Sequence, residues 1–172
     1  MRTLLASRCT LEPLVAAHAR EMFDVLSDPA IYEFENEPPA SQEWLTRRFE
    51  RLEQRRSPDG KDQWLNWIVR LPGGEAAGYV QATVLPSATA YVAYELNSRH
   101  WRQGIGSSAV SAMLDELRIT YGVEVFMAIL KTTNFRSREL LRSLGFSMAT
   151  SAEIADHRSE PDELVMTRAA GR

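Results

Sequence analysis

Between residues 8 and 14 apolar and polar side chains alternate: Cys9, Leu11 and Pro13 stand against Thr10 and Glu12, which predicts a strand. Over 15–26 the spacing lengthens. Val15, Ala19, Met22, Phe23 and Leu26 fall near helical period, and Ser27-Asp28-Pro29 ends the helix because the residue before proline avoids helical backbone. Residues 30–40 carry Tyr32, Glu33, Phe34, Glu35 and Glu37 ahead of Pro38-Pro39, so they read as a loop or a short helical turn. Ser41 then caps a second helix with Trp44, Leu45, Phe49 and Leu52 as its apolar stripe. Arg47, Arg48, Arg51, Arg55 and Arg56 interleave there with Glu43, Glu50 and Glu53, the pattern of a solvated face with ion pairs four residues apart.

After a polar loop at 57–62, three strands are predicted at 63–71, 76–85 and 89–96, with Pro72-Gly73-Gly74 as the first turn. Their connections are too short for a crossover, so they form an antiparallel meander. A third helix follows over 104–120, with Ile105, Ala109, Val110, Met113, Leu114 and Leu117 on one face and Tyr121-Gly122 as its stop. Residues 123–130 are apolar on both faces apart from Glu124, as in a central strand covered on two sides. Strand, helix and buried strand make a β-α-β crossover. Asn134 caps a fourth helix running to about Leu144, Gly145 closes it, Phe146 begins a strand, 151–158 is polar, and 163–168 is a last strand. No repeat or low-complexity segment interrupts this series, so residues 1–172 read as one domain.

Composition narrows the function. A net charge of -3 argues against a nucleic-acid surface, which is normally basic. The single cysteine, Cys9, excludes an intrachain disulfide and suits a reducing compartment, where it reads as a small buried hydrophobe. No apolar run reaches membrane-spanning length, and the N-terminal apolar stretch is too short for a signal peptide, so the expectation is a cytoplasmic protein without membrane contact. No metal is expected.

Candidate chemistry centres on residues 94–108, where a strand enters a short polar loop, Gly104 and Gly106 flank Ile105, and a helix begins. Glycine admits a ligand close to the backbone, and the first turn of a helix carries N–H groups with no intrahelical partner. Together with the helix dipole they bind phosphate, so 103–107 reads as a pyrophosphate-binding turn.

Trp101-Arg102-Gln103-Gly104-Ile105-Gly106 resembles the acyl-CoA loop, R/Q-x-x-G-x-G/A, of the GNAT superfamily of N-acetyltransferases. Tyr94-Glu95-Leu96, Trp101 and Leu11-Glu12-Pro13-Leu14 resemble its Rim-type branch, which includes ribosomal-protein N-terminal acetyltransferases. Arg102 stands where a glycine is commoner. Residues 134–146, Asn-Phe-Arg-Ser-Arg-Glu-Leu-Leu-Arg-Ser-Leu-Gly-Phe, resemble the second GNAT signature, N-x-x-S/A-x-x-L-Y-x-x-L-G-F. Both signatures lie in the right order, one helix and one strand apart.

The resemblance implies an α+β fold: a mixed sheet of about seven strands, mostly antiparallel with one splayed parallel pair, flanked by about four helices. It implies acetyl-CoA as co-substrate, held by Leu96, Asn97, Ser98, Arg102, Gln103, Gly104, Ile105, Gly106 and Ser107, with Asn134 and Ser137 beyond the pantetheine arm. The family's usual acid, a tyrosine on the fourth helix, is replaced by Leu141. Ser137 is then expected to hydrogen-bond the thioester sulfur or the arm. Glu95 is the first candidate for general base and Asp156, beside His157, the second; His100 packs near the loop. The acceptor is a primary amine, on a small molecule or a peptide N-terminus, and the acidic aromatic segment 32–37 borders its cleft. A non-catalytic acyl-CoA-binding or sensing module is the alternative, and a homodimer is possible.

Overall fold

The computed structural model describes residues 1–150 and 160–171. Eight strands form one sheet: β1 (Leu4–Leu5), β2 (Thr10–Pro13), β3 (Gln63–Arg70), β4 (Ala76–Val84), β5 (Thr89–Leu96), β6 (Val125–Lys131), β7 (Ser147–Met148) and β8 (Glu163–Ala169), in spatial order β1-β2-β3-β4-β5-β6-β8-β7. Among the described residues four helices flank it: α1 (Ala19–Leu26), α2 (Gln42–Glu53), α3 (Ile105–Tyr121) and α4 (Phe135–Ser143). Every neighbouring pair is antiparallel except β5 and β6. The eighth strand is β1, which escapes the periodicity because it is two residues long. Tertiary contacts hold it: the indole N–H of Trp67 donates to Arg2 O (3.1 Å), and Arg2 pairs with Glu116 of α3 (2.6 Å).

Sheet alternation sends β-strand side chains into two cores. Trp67, Val80, Ala82 and Val92 pack against Ile105, Val110, Met113 and Leu117 of α3 and Leu141 of α4. Ile68 and the partly buried Tyr79 pack on the other face against Met22 and Leu26 of α1 and Leu45 and Phe49 of α2. The predicted first helix begins as a 3₁₀ turn at Ala16–His18, and another such turn, Pro29–Tyr32, opens the segment after α1. The α2 arginines differ from expectation. Among the described residues none forms an ion pair four residues along the helix. Glu53 instead accepts from the Ala16 N–H (2.9 Å), and Arg48 turns inward. Cys9 is buried, which pushes its thiol pKa up. Among the described residues no helix is long and apolar enough to cross a membrane.

Candidate active site

The parallel pair is where the sheet opens. β5 and β6 share register only at Thr89↔Val125, Ala90↔Phe126 and Tyr91↔Met127, after which their C-terminal halves part. A cavity of about 1120 Å³ enters the gap. Residues from both sheet faces line it, including Glu95, Tyr79 and Arg48 on the α1–α2 side and Ile105, Gly106 and Leu140 on the α3–α4 side, so it runs through the sheet. Of six exposed large hydrophobics among the described residues, Trp44, Ile129 and Phe135 lie in this cavity, which gives it the apolar lining of a ligand site.

The edge of β5 supplies backbone groups. Asn97 N–H donates to Ala77 O of β4 (2.9 Å). By antiparallel alternation the N–H and C=O of Leu96 and Tyr94 then point away from β4, toward the gap. Leu96 O is taken by the Trp101 indole N–H (2.8 Å), which pins the loop that follows. Arg102 and Gly104 both adopt left-handed backbone (φ 61 and 73). For Arg102 that conformation costs on the order of 1–2 kcal/mol, which is the physical reason glycine suits the position. The turn delivers α3 with its ladder starting at Ser108, whose N–H reaches Gly104 O (3.1 Å). The N–H groups of Ile105, Gly106 and Ser107 precede that bond and border the cavity, as an anion site requires.

Gly106 allows this turn to lie close to its neighbours. A Cβ there would stand 3.0 Å from a Leu140 methyl and 3.1 Å from a Leu96 methyl. Gly106→Val is expected to push α3 off β5 and α4 and to cost roughly 1–3 kcal/mol. Calorimetry should find coenzyme A affinity lowered about tenfold.

Across the gap, Asn134 caps α4, its side-chain oxygen accepting from Ser137 N–H (3.1 Å). The Tyr94 hydroxyl crosses from β5 and donates to Ser137 O (3.4 Å); burial pushes its pKa up to about 12, so it stays protonated. Arg136 closes the mouth. Its guanidinium lies over the rings of Trp101 (4.8 Å), Phe135 (5.1 Å) and Phe34 (5.5 Å) and pairs with Glu33.

On the α1–α2 side, burial raises the Glu95 pKa; the Tyr79 hydroxyl and Arg48 guanidinium work against that, and Glu35 adds to it. Glu35 is raised too, first by burial, with Lys131 lowering it and Glu163 and Asp162 raising it. A carboxyl lifted toward the working pH, bordering the cavity, has the properties of a general base.

Of the residues singled out in the sequence, Glu95, Leu96, Arg102, Gly104, Ile105, Gly106, Ser107, Asn134 and Ser137 line the cavity together, as does His100. Asn97 and Ser98 do not, and both spend polar groups on the protein itself. Besides its N–H bond to β4, Asn97 donates through its side chain to Val25 O (3.0 Å), while Ser98 N–H is held by Asp28 (2.7 Å). Burial works to raise the Asp28 carboxyl, yet the bonds from Ser98 and Ala30 outweigh it and hold its pKa low. Gln103 turns its side-chain amide back to Arg99 O (2.9 Å), away from the cavity. Asp156 and His157 lie outside the described residues. Tyr79, Tyr94, Arg48 and Arg136 are among the cavity residues to which sequence reasoning assigned no site role. Only strand alternation carries a signal for the two tyrosines, since 94 and 95 must face opposite sides.

A split sheet with unpartnered N–H groups at a helix start on one side and a partly buried carboxylate on the other has the parts that a group-transfer enzyme for a nucleotide-linked co-substrate requires. Residues 8–147 match the family model described as the acetyltransferase (GNAT) domain, and the chain belongs to that family. It is an acetyl-CoA-dependent acetyltransferase. A search of curated proteins finds no match. The fold is similar to that of RimL, a ribosomal-protein α-N-acetyltransferase solved with coenzyme A (17% identity, 97% of each chain, TM-score 0.79). It is similar also to a spermidine N-acetyltransferase from Vibrio cholerae with coenzyme A and spermine (15% identity, 95% of this chain and 96% of that one, TM-score 0.77). A third similar structure is the microcin C7 self-immunity acetyltransferase MccE with acetyl-CoA and AMP (19% identity, 95% and 93%, TM-score 0.77).

Proposed function

We propose that this chain moves an acetyl group from acetyl-CoA directly to a primary amine, on a small molecule or a peptide N-terminus. The observation that carries this reading is Glu95. It is a partly buried carboxyl with a raised pKa, and it shares one cavity with the free N–H groups opening α3. Acetyl-CoA supplies an acyl carbon open to attack, its diphosphate held by the amides of Ile105, Gly106 and Ser107 with Arg102 beside them. Its arm lies along the free edge of β5 as an added strand would. Glu95 takes a proton from the acceptor ammonium, leaving the amine lone pair free to bond the acyl carbon. The free Leu96 N–H faces the developing oxyanion. When the carbon–sulfur bond breaks, the thiolate needs a proton. Tyr94, neutral and reaching the start of α4 beside Ser137, supplies it in place of the tyrosine that Leu141 replaces, and the second proton that nitrogen sheds as the amide forms returns to the tyrosinate.

Free thiol release from acetyl-CoA across a panel of amines and peptides tests the reaction. A productive amine should release one thiol per acetylated product by mass. Coenzyme A binding without thiol release for any primary amine would overturn it. With a productive amine, Tyr94→Phe is expected to lower kcat by roughly tenfold to a hundredfold with KM little changed, the signature of a group used in the transition state.

A further inference from the structure

Trp44, Arg48 and Leu52 follow one another at helical spacing along α2, and all three line the acceptor side of the cavity. Arg48 is half-buried. Its guanidinium lies over the Trp44 ring (5.6 Å). Among the described residues it makes no hydrogen bond, and no carboxylate lies within 4.0 Å of it. Arg55 and Arg138 are likewise half-buried without an ion pair among the described residues, but neither lines this cavity. Arg2 has Glu116, Arg70 has Glu12 and Glu21, and Arg136 has Glu33. A partly desolvated guanidinium without an acceptor is costly, and a ligand that provides one gains from the pairing. The charge of Arg48 is felt at Glu95, Tyr79 and Tyr32, so it acts on the space where the amine is deprotonated.

We propose that the acceptor carries an oxyanion, a carboxylate or a phosphate, beside its primary amine: the amine meets Glu95 and the oxyanion meets Arg48. This rests on the amine N-acetyltransferase reading and names its substrate class. Glu35, Glu37 and Glu95 border the same cavity and favour the ammonium end, whereas Arg48 repels a second ammonium at the other. A zwitterionic acceptor satisfies both charges; an oligoamine satisfies only the first. The rival role for Arg48 is counter-ion to Glu95, and the two roles differ in which substrates suffer when the charge is removed.

The test compares matched pairs by thiol release at saturating acetyl-CoA: common L-amino acids against their carboxamides, and phosphoethanolamine against ethanolamine. The first set reads a carboxylate and the second a phosphate. At least one acidic member is expected to exceed its neutral partner in kcat/KM by roughly tenfold or more, the worth of a charge-assisted pair. Arg48→Gln should erase that ratio and Arg48→Lys should keep part of it. Calorimetric coenzyme A binding identifies folded variants; if the glutamine variant does not fold, the lysine variant alone must still narrow the ratio. Neutral partners equal or superior throughout, or Arg48→Gln slowing both members of every pair by one factor, would overturn the proposal. If no amine turns over, the enzymatic reading is what fails. Thermal shifts of the coenzyme A-saturated protein with the same pairs then decide this inference alone. A shift with acidic members that Arg48→Gln abolishes supports it, and its absence refutes it.

Discussion

Glu95→Gln is expected to slow acetyl transfer by about 10²-fold to 10⁴-fold, the usual worth of a positioned general base, while coenzyme A affinity measured by calorimetry stays at the wild-type value. Glutamine keeps the shape and cannot take a proton. Only the ionised carboxylate works as base, so wild-type kcat/KM should rise with pH as Glu95 deprotonates. Because burial raises its pKa, that limb lies above the ordinary glutamate range near about 4.3. The limb should vanish from the residual activity of the variant.

Stability should move the other way. A carboxyl whose folded pKa is raised binds its proton more tightly in the folded chain. Its contribution is therefore full below the unfolded value, about 4.3, and is lost as pH rises through the raised folded value. At neutral pH wild-type protein holds an ionised, desolvated Glu95, whereas glutamine stays neutral. Thermal unfolding should thus find Glu95→Gln with the higher Tm at neutral pH and no advantage in acid. Loss of turnover with a gain in Tm separates a base kept at some cost to the fold from a residue that merely holds the sheet together. A variant that loses Tm along with activity would assign Glu95 a structural role.

Legibility of the chain followed the range of the interactions involved. The meander of β3, β4 and β5 was readable because the connections are too short for a crossover and the first turn carries Pro72-Gly73-Gly74. Helix α3 was readable to within a residue or so, since its apolar face and its Gly122 stop are local signals. The turn that opens α3 was legible for the same reason. What stayed hidden depends on chain segments meeting from afar. Strand β1 is tied down through Trp67 and Glu116, far along the sequence. Arg48 looks like any charged residue on an exposed helix face, and only the parting of β5 from β6 turns that face into a cavity wall. Asn97 and Ser98 looked like ligands because they extend the strand that carries Glu95, but α1 and the segment after it had already claimed their polar groups. Tyr94 matters because it reaches α4, a contact that no periodicity encodes.

The same distinction underlies the largest expected loss of stability, at Gly78. It sits inside β4 opposite Leu96, with no turn residue near it to mark it in the sequence. Its φ is 154°, and a Cβ built there would lie 2.0 Å from Glu95 O, 2.8 Å from Leu96 Cα and 2.9 Å from Glu95 C. All three are backbone atoms of β5, so no side chain can rotate away. Gly78→Ala must therefore pry β5 from β4 at Glu95 and Leu96, the residues proposed as base and arm-binding edge. The cost should exceed the usual overpacking range of about 1–3 kcal/mol and reach the diagnostic tail above about 4 kcal/mol. Denaturant unfolding should show the midpoint falling sharply. Any folded fraction should have lost transfer activity more than coenzyme A binding, because Glu95 moves with the displaced strand while the amides of Ile105 to Ser107 belong to α3. A midpoint within error of wild type would mean that β4 and β5 slide past each other freely here, and the backbone geometry assigned to the catalytic edge would be wrong.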